Sequence, residues 1–314
     1  MYLGIDVGGT RLKAGLVDDS GAVLRSASTD TPSELQVFRK AVRQLAEQAL
    51  GGATPAAAGF GCKGVVDRET TRIECLPGAW NFLEGTLLSS TLEGLLEPGT
   101  PVTADNDAKA ALAGEMAWGA ARGVKDALLL TLGTGVGGAV LADGRILRGA
   151  AGLAGHLGHI NVEPDGMPCV CGGRGCLETV FSARAIEAEA WAAAHQGASS
   201  PLIDALREGR AELRCEKIFE AAAQGDAIAA WIVERRIHKL AAAVAGLFHA
   251  FDPEVLILAG SVAAAGETLL APMRTELAWR TRVMLRREIP IALAGVLDNS
   301  GVVGAAALGR LLIR

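Results

Sequence analysis

Aromatic residues are scarce in this chain: one tyrosine, five tryptophans and seven phenylalanines make up 4% of 314 residues, although half of all residues are hydrophobic. A core of the size this length can bury must therefore be built from Ala, Val, Leu and Ile, as in helix-covered α/β sheets. There is no excess of positive charge, since 30 Lys and Arg face 35 Asp and Glu and leave a net charge of −5. Without a basic stripe the chain lacks the electrostatic footprint of a nucleic-acid-binding protein. No apolar run reaches the roughly 18 residues that a membrane span needs. Met1 runs straight into YLGIDVGG, with no charged or apolar leader. The expected location is the cytoplasm, with no membrane partner. No G-x-x-x-x-G-K-[ST] segment occurs, which excludes a P-loop. Tandem repeats are absent too. Of six cysteines, Cys62, Cys75 and Cys215 are isolated and, in a reducing compartment, read as buried small hydrophobes rather than disulfide partners. At this length two domains are expected.

The densest chemistry lies between Gly155 and Glu178, GHLGHINVEPDGMPCVCGGRGCLE. His159, Cys169, Cys171 and Cys176 are the residue types of a closed tetrahedral Zn²⁺ site, one imidazole and three thiolates with no position left for water. That composition predicts a structural zinc. Gly172, Gly173 and Gly175 let the backbone turn tightly enough for the sulfurs to converge. A reduced, metal-free cysteine cluster in a loop is the alternative.

Strand-like segments at Tyr2–Val7, Arg11–Val17 and 22–28 predict a hairpin-rich start, and the apolar spacing from Pro32 to Leu50, with a proline at its head, predicts a helix. Between the first two, Gly8 and Gly9 leave backbone N–H groups open to a phosphate and Thr10 adds a hydroxyl. Asp6, one step earlier, is a candidate ligand for Mg²⁺ or its water shell. A strand at 102–104 delivers Asp105, Asn106 and Asp107 at its carboxyl edge, where ligands of α/β folds collect. Asp107 has a plain alternative as a helix N-cap. The segment from Gly133 to Gly138, GTGVGG, matches G-x-G-x-x-G literally, but a second β-hairpin over 139–147 follows it where a dinucleotide fold requires a helix. It reads instead as a second phosphate-cradling hairpin. The chain then becomes mostly helical (182–195, 201–207, 215–224, 226–251), before a strand at 255–258 delivers Gly260 and Ser261 to the start of another helix. A closing helix is expected from residue 301.

GIDVGGT at Gly4–Thr10, DND at Asp105–Asp107, LGTGVGG at Leu132–Gly138, GH at Gly158–His159, CVCGGRGCLE at Cys169–Glu178 and LAGSV at Leu258–Val262 occur in an order that resembles the ROK family of sugar kinases and sugar-responsive repressors. The resemblance implies an actin-like, ribonuclease-H-like α/β fold of two lobes with ATP and sugar in the cleft between them. The lobes would be 1–117, with 301–314 returning to it, and 118–300. It implies transfer of the γ-phosphoryl group of ATP to a hexose, usually at the 6-hydroxyl. Asp107 would be the general base. Gly64, Asn106, His159 and Glu178 would bind sugar hydroxyls. Asp6 with Gly8, Gly9 and Thr10 would handle Mg²⁺ and phosphates. Gly133, Thr134, Gly135 and Gly137 would hold phosphates, and Gly260 and Ser261 the adenosine side. A homodimer is implied as well. Three positions depart from the family pattern. His156 stands where a sugar-gripping glutamate is usual, Cys75 replaces an asparagine, and Lys63 replaces a proline. His156 is thus a candidate sugar contact of unusual chemistry, and glucose, another hexose or an N-acetylhexosamine are the candidate substrates. A non-catalytic sugar sensor is the alternative of a different class. Against a repressor stands the position of the first phosphate loop, which begins at the fourth residue with no helix-turn-helix ahead of it.

Overall fold

In the computed structural model the described residues are 1–78, 80–209, 212–296 and 299–313. Residue 314 of the expected closing segment lies outside them. In chain order the elements are β1 (Tyr2–Val7), β2 (Arg11–Val17), β3 (Val23–Asp30), α1 (Leu35–Leu50), β4 (Ala57–Cys62), β5 (Val65–Asp67), β6 (Arg72–Cys75), β7 (Val102–Asn106), α2 (Asp107–Trp118), β8 (Ala127–Leu132), β9 (Val136–Ala142), β10 (Arg145–Ile146), α3 (Leu177–Phe181), α4 (Ala183–His195), α5 (Pro201–Arg207), α6 (Cys215–Ala223), α7 (Ala227–Phe251), β11 (Val255–Ala259), α8 (Glu267–Thr281), β12 (Ile291–Leu293) and α9 (Ser300–Arg310). They divide into two compact units. One comprises Met1–Lys125, Ala139–Gly155 and Ala294–Arg314, the other Asp126–Gly138 and His156–Leu293. Set beside the expected boundary at residue 117, the first unit runs eight residues further and takes in the segment 139–155.

The first unit is built on a sheet of order β3-β2-β1-β4-β7. β1, β4 and β7 run parallel, and their register puts Asp6 opposite Gly61 and Gly61 opposite Asp105. Adjacent strands lie about 4.8 Å apart, so acidic residues of β1 and β7 reach the same carboxyl edge with only a glycine strand between them. α1 buries Phe38, Val42, Leu45, Ala46 and Ala49 against the sheet, the i, i+4, i+7 stripe of an amphipathic helix. It starts at Leu35 rather than at the expected Pro32. α9 belongs to this unit and lies close against β1 and β4. A Cβ on Gly4 would come within 2.0 Å of the Val302 carbonyl oxygen, and one on Gly59 within 1.9 Å of that of Ala305. Glycine at both positions is what lets helix backbone lie directly on strand backbone.

In the second unit β8, β11 and β12 are parallel, with Ala127–Thr131 opposite Val255–Ala259 and Leu256–Leu258 opposite Ile291–Leu293. β8 and β11 are buried along nearly their whole length, as parallel strands covered on both faces must be. α7 starts at Asp226, whose carboxylate accepts from the N–H groups of Ile228 and Ala229 and, from α5, that of Leu202. One N-cap thus satisfies orphan donors of two helices. The helix expected to open at Ser261 is first a short 3₁₀ turn, Ser261–Ala265, and α8 follows after Gly266.

Candidate functional site

In the first unit the site grows from the carboxyl edge of β1, β4 and β7. Asn106 is the N-cap of α2. Its Oδ1 accepts from the Ala108 N–H at 3.0 Å and its Nδ2 donates to the Gly64 carbonyl at 3.0 Å. The capping position is therefore filled by Asn106, and Asp107 is the first helical residue, with Oδ1 2.9 Å from the same Ala108 N–H. Gly64 has φ +87°, and a Cβ there would meet the Cys75 carbonyl oxygen at 2.2 Å, so only glycine lets this backbone turn beneath Asn106. The Gly8–Thr10 loop is braced by Thr31, whose hydroxyl donates to the Gly8 carbonyl at 2.7 Å and whose N–H donates to that of Thr10. Asp6 is half-buried beneath this loop. Burial, then repulsion from Asp107, push its pKa up to about 6, with Lys13 pulling weakly the other way. Two carboxylates close enough to oppose each other's ionisation are a donor set that suits a hard divalent cation.

In the second unit the glycine hairpin and the Gly260–Ser261 turn share one edge, because β8 and β11 end side by side. A Cβ on Gly133 would lie 3.7 Å from Ser261 Oγ, and one on Gly260 2.4 Å from the Leu132 carbonyl oxygen. Thr131 Oγ1 accepts from the Gly137 N–H at 3.1 Å, and the Ala183 N–H donates to the Gly133 carbonyl at 2.8 Å, which ties the hairpin to the start of α4. Thr134 at its tip is exposed. Beside Ser261 opens a cavity of about 390 Å³, lined among others by Cys215, Phe219, Val262 and Thr268. Its size is that of a small-ligand pocket.

His159 Nδ1 and Cys169 Sγ are 3.5 Å apart, Cys171 and Cys176 Sγ are 3.6 Å apart, and all four ligand atoms lie within 4.8 Å of one another. Metal bonds of roughly 2.0 to 2.3 Å in a tetrahedron separate ligand atoms by about 3.3 to 3.8 Å, so the His159–Cys169 and Cys171–Cys176 pairs have the spacing, and the four residues the donor types, that suit zinc. Backbone hydrogen bonds from Cys169 to Gly173 and from Gly172 back to Cys169 form the tight turn that the glycines predict. His156 stacks on His159 with ring centroids 6.5 Å apart and planes 14° from parallel.

Glu178 lies on the short helix α3, which Cys176 precedes as N-cap. Its Oε2 accepts from the Val136 N–H at 3.0 Å, and a Cβ on Gly135 would come within 2.3 Å of it. Glu178 therefore joins the cysteine loop to the glycine hairpin, a link without a sequence signal. α3 is in turn held by Arg236 of α7, which donates to the Val180 carbonyl and pairs with Glu189. Cys62 and Cys215 are buried as expected, but Cys75 is exposed, because it ends β6 of the two-stranded β5–β6 hairpin, in which Ile73 is the buried residue of β6; Lys63 is exposed as well. Sequence reasoning also missed the pairing of Asp105 with Lys109 and Arg148. The i, i+4 spacing of Asp105 and Lys109 is the one signal that could have revealed it. No helix among the described residues is long and apolar enough to cross a membrane.

Two α/β units with glycine hairpins at strand ends define a protein of the actin-like, two-lobed class. The chain belongs to the ROK family, whose model matches residues 2–310. A glucokinase of Thermotoga maritima is 35% identical over 98% of this chain and 96% of its own. An N-acetylmannosamine kinase of Citrobacter koseri is 34% identical over 98% of both. Among solved structures, a ROK family glucokinase from Streptomyces griseus in complex with glucose and AMPPNP is similar with a TM-score of 0.81 at 32% identity, covering 99% of both chains.

Proposed function

We propose that this chain is an ATP-dependent hexose kinase that phosphorylates glucose at its 6-hydroxyl. The observation that carries the reading is Asp107: its neighbour Asn106 does the capping, and its charge is felt at Asp6 across the strand edge. In this reading the Asp107 carboxylate takes the proton of the sugar hydroxyl as the oxygen attacks the γ-phosphorus, the bond to the β,γ-bridging oxygen breaks, and ADP departs. Phosphoryl transfer asks mainly for in-line placement and charge neutralisation. Backbone N–H groups at the tips of the two loops, those of Gly9 and Thr10 and of Thr134 and Gly135, would supply the donors, with the Thr134 hydroxyl beside them, while the N–H groups of Gly8, Gly133 and Gly137 hold the loops in shape. Asp6, with Asp107 nearby, would hold Mg²⁺, which neutralises phosphate charge when bound. Gly64, Asn106, His156, His159 and Glu178 are the proposed sugar contacts. Gly260 and Ser261 lie beside the cavity lined by Phe219 and Val262, which suits the flat, largely apolar face of adenine. His159, Cys169, Cys171 and Cys176 would hold a zinc that fixes the loop shape and takes no part in the chemistry. A homodimer in the cytoplasm completes the reading.

The test is sugar-dependent release of ADP across glucose, mannose, N-acetylglucosamine and N-acetylmannosamine. Turnover with glucose above the others supports the proposal, and turnover with N-acetylmannosamine above glucose moves it to an N-acetylhexosamine kinase. Binding of a sugar without any ADP release would make the chain a sensor.

A further inference from the structure

Lys109 is fully buried, two residues beyond Asp107 in the first turn of α2. Its ammonium donates to the Gly152 carbonyl and lies 3.9 Å from Asp105 Oδ1. Asp105 is 2% exposed. Its Oδ2 accepts from Arg148 Nε at 2.7 Å, and its Oδ1 accepts from the backbone N–H of Asn106 at 2.9 Å. The Arg148 carbonyl accepts from the Ala154 N–H at 3.0 Å. The segment 148–155 is thus tied to the end of β7 twice, once through the Arg148 side chain and once through the Gly152 carbonyl. It ends at Gly155, where the chain leaves the first unit and enters the second at His156. Arg68 adds a third cation near Asp105. Burial and the charge of Arg148 hold its pKa down, while Asp105 pulls it back up.

Filling space alone does not require this arrangement. A buried ammonium costs desolvation that a methionine of similar length avoids, and a buried ion pair is weak evidence for stability. What the charge does here is fix direction, because Lys109 and Arg148 both converge on one carboxylate that also holds the Asn106 backbone. Asn106 caps the helix on which Asp107 sits.

We propose that Lys109, Arg148 and Asp105 form a charge clamp that holds the segment 148–155 on the strand end that carries Asn106 and Asp107, and so keeps the proposed sugar contact Asn106 and the base Asp107 in place. The clamp rests on the reading of Asn106 and Asp107 given above. Lys109 and Arg148 act through these residues and are positioning residues.

The test compares Arg148→Met, Arg148→Lys and Lys109→Met in the full-length protein. Amide hydrogen exchange over 148–155 should rise at least tenfold in both methionine variants and return most of the way to wild type in Arg148→Lys. The glucose Kd measured without nucleotide, and the glucose KM, should each rise about tenfold or more in the methionine variants, while the KM for ATP stays within about twofold. A general loss of packing would move both constants together. Arg148 is partly exposed, so its variants decide the matter if Lys109→Met does not fold. Unchanged exchange over 148–155 in Arg148→Met, or a glucose Kd within twofold of wild type, overturns the clamp. Should wild-type protein turn over no sugar, the kinase reading fails while the exchange measurement still decides whether the clamp exists.

Discussion

Asp6 costs the folded protein stability at neutral pH. An unfolded aspartate ionises near 3.8, whereas burial and Asp107 keep Asp6 protonated until about pH 6. Below the unfolded value both states hold the proton and the group contributes nothing. As pH rises from about 4 to 6 the unfolded chain releases its proton first, and stability is lost by an amount of order 3 kcal/mol, which then stays constant. Asp6→Asn should therefore stabilise the Mg²⁺-free protein above pH 6 and change little near pH 4, while turnover collapses. Urea unfolding of both proteins at pH 4.5 and 7.5 checks this, and an equal effect at the two pH values would contradict it. His156 gives a second expectation at this scale. A neutral imidazole offers one donor and one acceptor, whereas a carboxylate accepts from two adjacent hydroxyls. His156→Glu should tighten glucose binding about ten- to hundred-fold, the worth of roughly 1.5 to 3 kcal/mol in a charge-assisted hydrogen bond. An unchanged or higher glucose KM would place His156 outside the sugar contacts.

At the scale of elements, two packing features carry expectations. α9 rests on β4 because residue 59 has no side chain, so Gly59→Ala would drive a methyl toward the Ala305 carbonyl. Overpacking of this kind costs about 1 to 3 kcal/mol, and more where backbone must move. A denaturation midpoint equal to wild type would show that α9 yields freely. The cysteine loop is the other feature. Elemental analysis should find one zinc per chain, and a strong chelator should speed hydrogen exchange over 161–176 before the cooperative unfolding transition. The same treatment should weaken ATP binding, because Cys176 leads directly into Glu178 and Glu178 holds the Val136 N–H. The glycine hairpins, the DND edge and the cysteine cluster were legible because each depends on residue type at short spacing. α3, the β5–β6 hairpin and the Glu178 link were not, since they depend on which distant backbone groups come to lie nearby. Pro32 looks like a helix opener, but the helix starts only at Leu35, because Glu34 ahead of it is still extended.

For the whole molecule, the sequence carried the class and the order of its parts, and family membership over residues 2–310 agrees with that reading. The division into units was less legible. A hairpin that begins in one unit at Val136 and ends in the other leaves no mark in composition or periodicity. The central claim is that this chain transfers phosphoryl groups to a hexose with Asp107 as base, and Asp107→Asn separates that chemistry from binding. General base catalysis is typically worth about 10² to 10⁴-fold, and the amide keeps the size of the side chain and one acceptor. The most direct measurement is the kcat for glucose-dependent ADP release in wild type and Asp107→Asn, beside the glucose Kd of each by calorimetry. The account predicts a loss of at least a hundredfold in kcat with the glucose Kd within about threefold. A variant that keeps more than a tenth of the wild-type rate would contradict it and leave Asp107 as the first residue of a helix and nothing more.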